Sequence, residues 1–101
     1  MEIVKMLVLS TAHISAETNE TLLGATDILA GGGNPQTNLP SFYAKGDYGW
    51  VVYSRTYISD SDPIGPADLA EVMAFARGQG CDWIMFDQDG DTIADLPTFD
   101  W

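Results

Sequence analysis

The segment Glu2–Leu9 constrains the fold of this chain most, because six of its eight residues are apolar. A nearly continuous apolar run of this length is typical of a strand that is buried on both faces. It is too short to cross a bilayer, which takes about 20 apolar residues. Its acidic start and single lysine do not fit a signal peptide. We therefore expect a central strand of a buried sheet, in a cytoplasmic protein.

The patterns that follow alternate between helical and strand periodicity. Ser15 is a suitable N-cap, and the glycines at 31–33 are a usual helix stop. Asp89-Gly90 is typical of a tight hairpin turn. In order, the patterns predict a helix over 15–30, a loop over 34–47, a strand over 48–58, a helix over 66–78, a strand over 83–87 and a strand over 92–96.

This order, β-α-β-α-β-β, predicts an α/β (α+β) two-layer sandwich. We expect one mixed four-stranded sheet with two helices on one face. The length of 101 residues predicts a single domain over 1–101. Helices on one face leave the other face to be covered. We expect the long loop, the aromatic residues Phe99 and Trp101, or a second copy of the chain to cover part of it.

Charge limits the partners of this protein. Fifteen acidic residues face four basic ones, which gives a net charge of -11. After residue 59, ten acidic residues face Arg77 alone, so -9 of the charge lies in the C-terminal half. Affinity for nucleic acid depends largely on Lys and Arg, so we expect no direct binding to nucleic acid, and the same argument disfavours anionic membranes.

Three interpretations of the acidic half stay open. Carboxylates on a rigid surface can imitate phosphates and occupy a basic groove of a nucleic-acid-handling protein, as small acidic inhibitors of restriction and CRISPR systems do. The charge can instead serve solubility or adaptation to high salt, or part of it can bind a cation. For the first interpretation, the predicted partner-binding carboxylates are Asp60, Asp62, Asp87, Asp89, Asp91 and Asp95, and the predicted aromatic anchors are Tyr53, Tyr57 and Trp101.

The cation interpretation, in which the chain is a small-ligand or divalent-cation-binding accessory domain without catalysis, rests on Asp87, Asp89 and Asp91. Alternating carboxylates in a turn can direct several oxygens at a Ca²⁺ or Mg²⁺ ion. The match to an EF-hand loop fails, because Thr92 stands where that loop needs glycine. The match to a phosphatase motif fails as well, because too little chain follows it. We expect no required cofactor.

Catalysis is not expected. His13 could act as a general base and Cys81 as a nucleophile if the fold brought them together. A histidine that satisfies buried backbone groups and a small buried cysteine are the simpler interpretations. A single cysteine also excludes an intramolecular disulfide.

Four blocks of the sequence carry a resemblance to a known family: MLVLSTAHIS, YGWVVY, PADLAEVMAFARGQGCDWIMFDQDG and LPTFDW. Together they resemble a family of small domains of unknown function. These domains are encoded on plasmids, integrative elements and phages, often near antirestriction genes. The resemblance implies no catalytic residue. It implies a mobile-element context, which favours an accessory or counter-defence role over a metabolic enzyme.

Overall fold

The computed structural model describes residues 1–33, 39–45, 49–54 and 66–100. The predicted class is confirmed: these residues form one mixed four-stranded sheet and two helices, an α+β fold. The elements are β1 (Met6–Ser10), a 3-10 turn (Thr11–His13), α1 (Ala16–Ala30), β2 (Phe42–Ala44), β3 (Gly49–Tyr53), α2 (Ala67–Gly78) and β4 (Trp83–Asp87).

The strand order in the sheet is β1-β4-β3-β2. β4 is the last strand in sequence, yet it lies between β1 and β3. It runs parallel to β1, with Met6 opposite Trp83, and antiparallel to β3. β2 pairs antiparallel with β3 and forms the far edge. The first and last strands in sequence are therefore neighbours in the sheet.

The N-terminus of α1 lies beside the N-terminus of α2, because a carboxylate in the first turn of α2 binds the first turn of α1. Ser15 caps α1, and its hydroxyl accepts the Thr18 N–H at 3.1 Å. Asp68, in the first turn of α2, accepts the Ser15 N–H at 2.7 Å and the Thr18 hydroxyl at 2.6 Å. Acidic groups are favourable at helix N-termini. Asp68 thus fixes the start of α1 against the start of α2.

The core lies between the helices and one face of the sheet, as predicted. α1 contributes Leu22, and α2 contributes Leu69, Val72, Met73 and Ala76. The sheet contributes alternate residues of three strands, as expected when one face is covered: Leu9, Trp50, Val52, Ile84 and Phe86.

The prediction of β1 as a central strand buried on both faces is wrong. β1 is an edge strand, and the side chains of Met6 and Val8 are 41% and 52% exposed. The pattern indicated apolar residues on both faces correctly. It could not show that β4 would pair on one side of β1 alone, which makes β1 an edge strand.

The prediction of a strand over 92–96 is also wrong. After Asp87 the chain turns, but residues 91–93 are irregular and 94–96 form a turn. The fourth strand is β2, which lies inside the predicted loop, so a hairpin precedes α2 instead of following it. β2 has three residues and depends on pairing with β3, which a loop-like local sequence does not reveal. The predicted strand 48–58 corresponds to β3, and its residues 55–58 lie outside the described part.

Candidate functional site

The segment after β4 passes tightly over the end of β1. A Cβ atom at Gly90 would lie 2.5 Å from the Leu9 carbonyl oxygen, so this position needs glycine. One residue later, the Asp91 carbonyl accepts the Ser10 N–H at 2.9 Å. Further on, the Phe99 N–H donates to the Ala12 carbonyl at 2.8 Å. The Asp-Gly sequence therefore serves a close backbone approach and not a hairpin.

The side chain of His13 binds the backbone of the segment that follows β4. Its ring is fully buried, at 0% exposure. Nε2 accepts the Ile93 N–H at 3.0 Å, so Nδ1 carries the ring proton and donates it to the Pro97 carbonyl at 2.9 Å. Both ring nitrogens are occupied by backbone groups. His13 is a structural residue that fastens the C-terminal segment.

Asp87 closes β4 and begins the acidic segment. Its carboxylate accepts the Asp89 N–H at 2.9 Å and pairs with the Lys45 ammonium at 3.0 Å. The hydrogen bond from Asp89, and then the bond to Lys45, hold the pKa of Asp87 below its ordinary value of 3.8. Asp87 is therefore ionised at neutral pH, with both carboxylate oxygens in use.

The acidic segment, residues 87–95, presents three further predicted carboxylates to solvent. Asp89, Asp91 and Asp95 are exposed. Because the chain on either side is bonded to β1 and His13, these side chains project from a fixed backbone. The predicted partner residues Tyr57, Asp60, Asp62 and Trp101 lie outside the described residues.

The described residues contain no preformed cation site that would support the cation interpretation. In the described ranges, no group of three His, Cys, Asp or Glu side chains is placed to hold a metal ion. Lys45 also competes for the Asp87 carboxylate. Cation binding by Asp87, Asp89 and Asp91 stays a prediction.

His13 and Cys81 do not form a catalytic pair. Cys81 precedes β4 and His13 follows β1, and these two strands are parallel. The residues therefore lie at opposite ends of the sheet, roughly 15 Å or more apart along the strands at about 3.3 Å per residue. Cys81 is buried, and its N–H donates at 2.8 Å to the carbonyl of Ala76, in the last turn of α2.

A second surface is the sheet face that the helices leave uncovered; the sequence predicted such a face but not the side chains that line it. The sheet face opposite the helices, here named the open face, is lined by three aromatic and four aliphatic side chains: Met6, Val8, Tyr43, Val51, Tyr53, Trp83 and Met85. Met6, Val8 and Tyr43 are exposed, and the others are half-buried. Tyr53, predicted as an anchor, lies here against Trp83, with ring centroids 5.0 Å apart. The apolar residues at alternate positions of β1 and β3 were the indication available in the sequence.

Comparison with known proteins places the chain in one family. Residues 6–101 match the family described as "Family of unknown function (DUF5983) C-terminal domain". The chain belongs to this family. No curated protein and no solved structure matches it.

The DUF5983 match begins at Met6, the first residue of β1, and so includes all four strands, both helices and the acidic segment. Within the described residues of this DUF5983 domain, neither helix is long and apolar enough to cross a membrane. The family description assigns no activity. The described part of the domain presents two surfaces that a partner could contact, the acidic segment and the open face.

Proposed function

We propose that this DUF5983 domain is a protein-binding module without catalytic chemistry. Its acidic segment imitates the phosphates of a nucleic acid and occupies a basic groove on a nucleic-acid-handling protein. The observation that carries the proposal is the exposure of Asp89, Asp91 and Asp95 on a backbone that is bonded to the fold.

A fixed backbone matters because a mimic must hold its charges in place before it binds. A flexible acidic tail loses conformational entropy on binding, about 1–2 kcal/mol per residue for the backbone alone. The hydrogen bond from the Ser10 N–H to the Asp91 carbonyl, and the bonds of His13 to Ile93 and Pro97, hold this segment in place before any partner binds. Binding of these carboxylates to a partner's cations therefore carries no further entropy cost for ordering the backbone.

The described basic side chains do not neutralise the exposed carboxylates. Lys45 pairs with Asp87. Arg77 donates to the Ser54 carbonyl at 2.6 Å, and Lys5 donates to the Gln79 carbonyl at 3.2 Å. All three cations are occupied elsewhere, which leaves Asp89, Asp91 and Asp95 for an external partner.

The nature of the partner is proposed from the sequence. The resemblance to domains carried on plasmids, integrative elements and phages favours a counter-defence role. The partner we propose is a host defence protein or another nucleic-acid-handling protein with a basic groove. The encounter would take place in the cytoplasm, where such proteins act on invading DNA.

The experiment is capture from a host lysate on immobilised domain, with elution by duplex DNA. A mimic and DNA compete for one groove, so bound protein should be released by added duplex and by raised salt. The triple variant D89K/D91K/D95K should lose the capture. A matched triple variant, E20K/D27K/E71K, changes the same charge at exposed helix positions and should retain it.

Two results would contradict the proposal. In one, captured protein is indifferent to duplex DNA. In the other, the two triple variants lose binding equally, which would reduce the effect of the acidic segment to overall net charge. Circular dichroism of both variants confirms that each is folded before the comparison is made.

A further inference from the structure

The open face has the composition of a protein interface. It contains Trp83, Tyr43 and Tyr53, together with two methionines, and interfaces are enriched in Trp, Tyr and Met. The rings form one connected group, since Trp83 lies 5.0 Å from Tyr53 and 6.3 Å from Tyr43, centroid to centroid. Apolar surface of this kind on one sheet face is normally covered.

The side chains lie in rows across the sheet. Met6, Trp83 and Tyr53 form the first row, because they are paired in register across β1, β4 and β3. The second row extends over all four strands and consists of Val8, Met85, Val51 and Tyr43. The third contains Asp87, which is paired with Lys45. The described face is thus two apolar rows bounded at one end by an ion pair.

The charge distribution of the protein indicates which kind of molecule covers the open face. Each copy of the protein carries a net charge of -11, which opposes self-association through most of its surface. The open face is the exception among the surfaces described, because its one carboxylate, Asp87, is neutralised by Lys45. A basic partner would be attracted to the acidic segment instead. An uncharged apolar face suits an equally uncharged apolar face.

Shape favours the same occupant. A twisted sheet face packs best on another sheet face of matching twist, at a separation of about 10 Å. A second copy supplies such a face, and a twofold axis places identical surfaces against each other. We propose that the open face is a self-association surface, through which two copies pack sheet on sheet.

The size of the face sets the strength of the contact. With strands about 4.8 Å apart and a rise of about 3.3 Å per residue, three strands of five residues and one of three cover roughly 300 Å² in projection. A standard interface buries about 800 Å² per partner. The dimer is therefore weak and dissociates on dilution.

The test is sedimentation equilibrium from micromolar to millimolar concentration. The mass should rise reversibly from 11.0 kDa toward twice that value. Added salt should strengthen the association, because it screens the repulsion between two acidic copies and does not weaken apolar contact. Capture through the acidic segment responds to salt in the opposite direction, so failure of one proposal is distinguishable from failure of the other.

Matched variants locate the contact. Val8→Lys places a charge in the second row and should abolish the dimer. Leu29→Lys alters an equally exposed residue of α1, at 50% against 52%, and should leave it intact. Tyr43→Lys, on the far edge strand, is a second disrupting variant if the first does not fold.

A monomer at every concentration would overturn the proposal and assign the open face to a different molecule. A dimer that tolerates both Val8→Lys and Tyr43→Lys would overturn it as well, since it would use another surface, such as the outer edge of β1. Equal disruption by Leu29→Lys would also contradict it.

Discussion

Replacing His13 tests whether the C-terminal segment is held by this one side chain. His13→Leu keeps about the same volume but removes both hydrogen bonds, to the Ile93 N–H and to the Pro97 carbonyl. His13→Asn keeps a donor near the position of Nδ1 and so retains the bond to Pro97 alone. The two variants separate the contributions of the two contacts.

The expected cost follows from the backbone groups left without a partner. A buried donor or acceptor that loses its partner costs about 1–3 kcal/mol. Pro97 is exposed and Ile93 is half-buried, so water can partly replace the ring, and the low end of that range applies. His13→Leu should therefore cost about 2–3 kcal/mol, and His13→Asn about half as much. Against a total of about 5–15 kcal/mol, the first loss is large.

Urea unfolding followed by far-UV circular dichroism measures the free energy of unfolding. Amide hydrogen exchange at Ile93 and Phe99 gives the local result, since both N–H groups should lose protection in His13→Leu before the sheet does. A His13→Leu variant within about 0.5 kcal/mol of the wild type, a range typical of neutral surface substitutions, would refute the reasoning. Unchanged exchange at Ile93 would refute it too.

Three further predictions concern the acidic segment. Gly90→Ala should destabilise the protein by about 1–3 kcal/mol, because the new Cβ meets Leu9 backbone atoms. Gly24 has open space around it, so Gly24→Ala should instead stabilise α1 by up to about 1 kcal/mol. Thermal unfolding of the two variants and the wild type measures both effects. The ionised Asp87 stabilises the folded state fully above its ordinary pKa of 3.8, and this stabilisation is lost as pH falls through the lower pKa of the folded state. Asp87→Asn should therefore melt at a lower temperature than the wild type at neutral pH, and the two melting temperatures should converge in acid. If the turn binds Ca²⁺ or Mg²⁺, millimolar metal should raise the melting temperature of the wild type but not of D87N/D89N/D91N; no change would remove that alternative.

The helices and β4 could be predicted because local chemistry defines them. Ser15 and the glycines that follow residue 30 mark the ends of α1, and the observed helix is Ala16–Ala30. β4 coincides with the predicted 83–87, since its alternating apolar residues pack on one core face. These features require no knowledge of the rest of the chain.

The errors arise where a residue acts on a distant part of the chain. Gly90 is suited to a hairpin turn, but in the structure it lets the backbone pass Leu9, which is 81 positions earlier in the sequence. Likewise, His13 acquires its role from Ile93 and Pro97. Asp68 was counted only as charge, although it caps a helix some 50 residues away. No local pattern contains that information.

The insertion of β4 between β1 and β3 has a consequence for synthesis. β1 leaves the ribosome before the other strands of this domain, yet the one strand that pairs with it in the described sheet is the last of them to emerge. Until then, an apolar segment with an open edge has no sheet to join, and β2 and β3 can form no more than a hairpin. We expect the domain to fold only when nearly the whole chain is free, and a chain that stops before residue 83 to aggregate instead of folding.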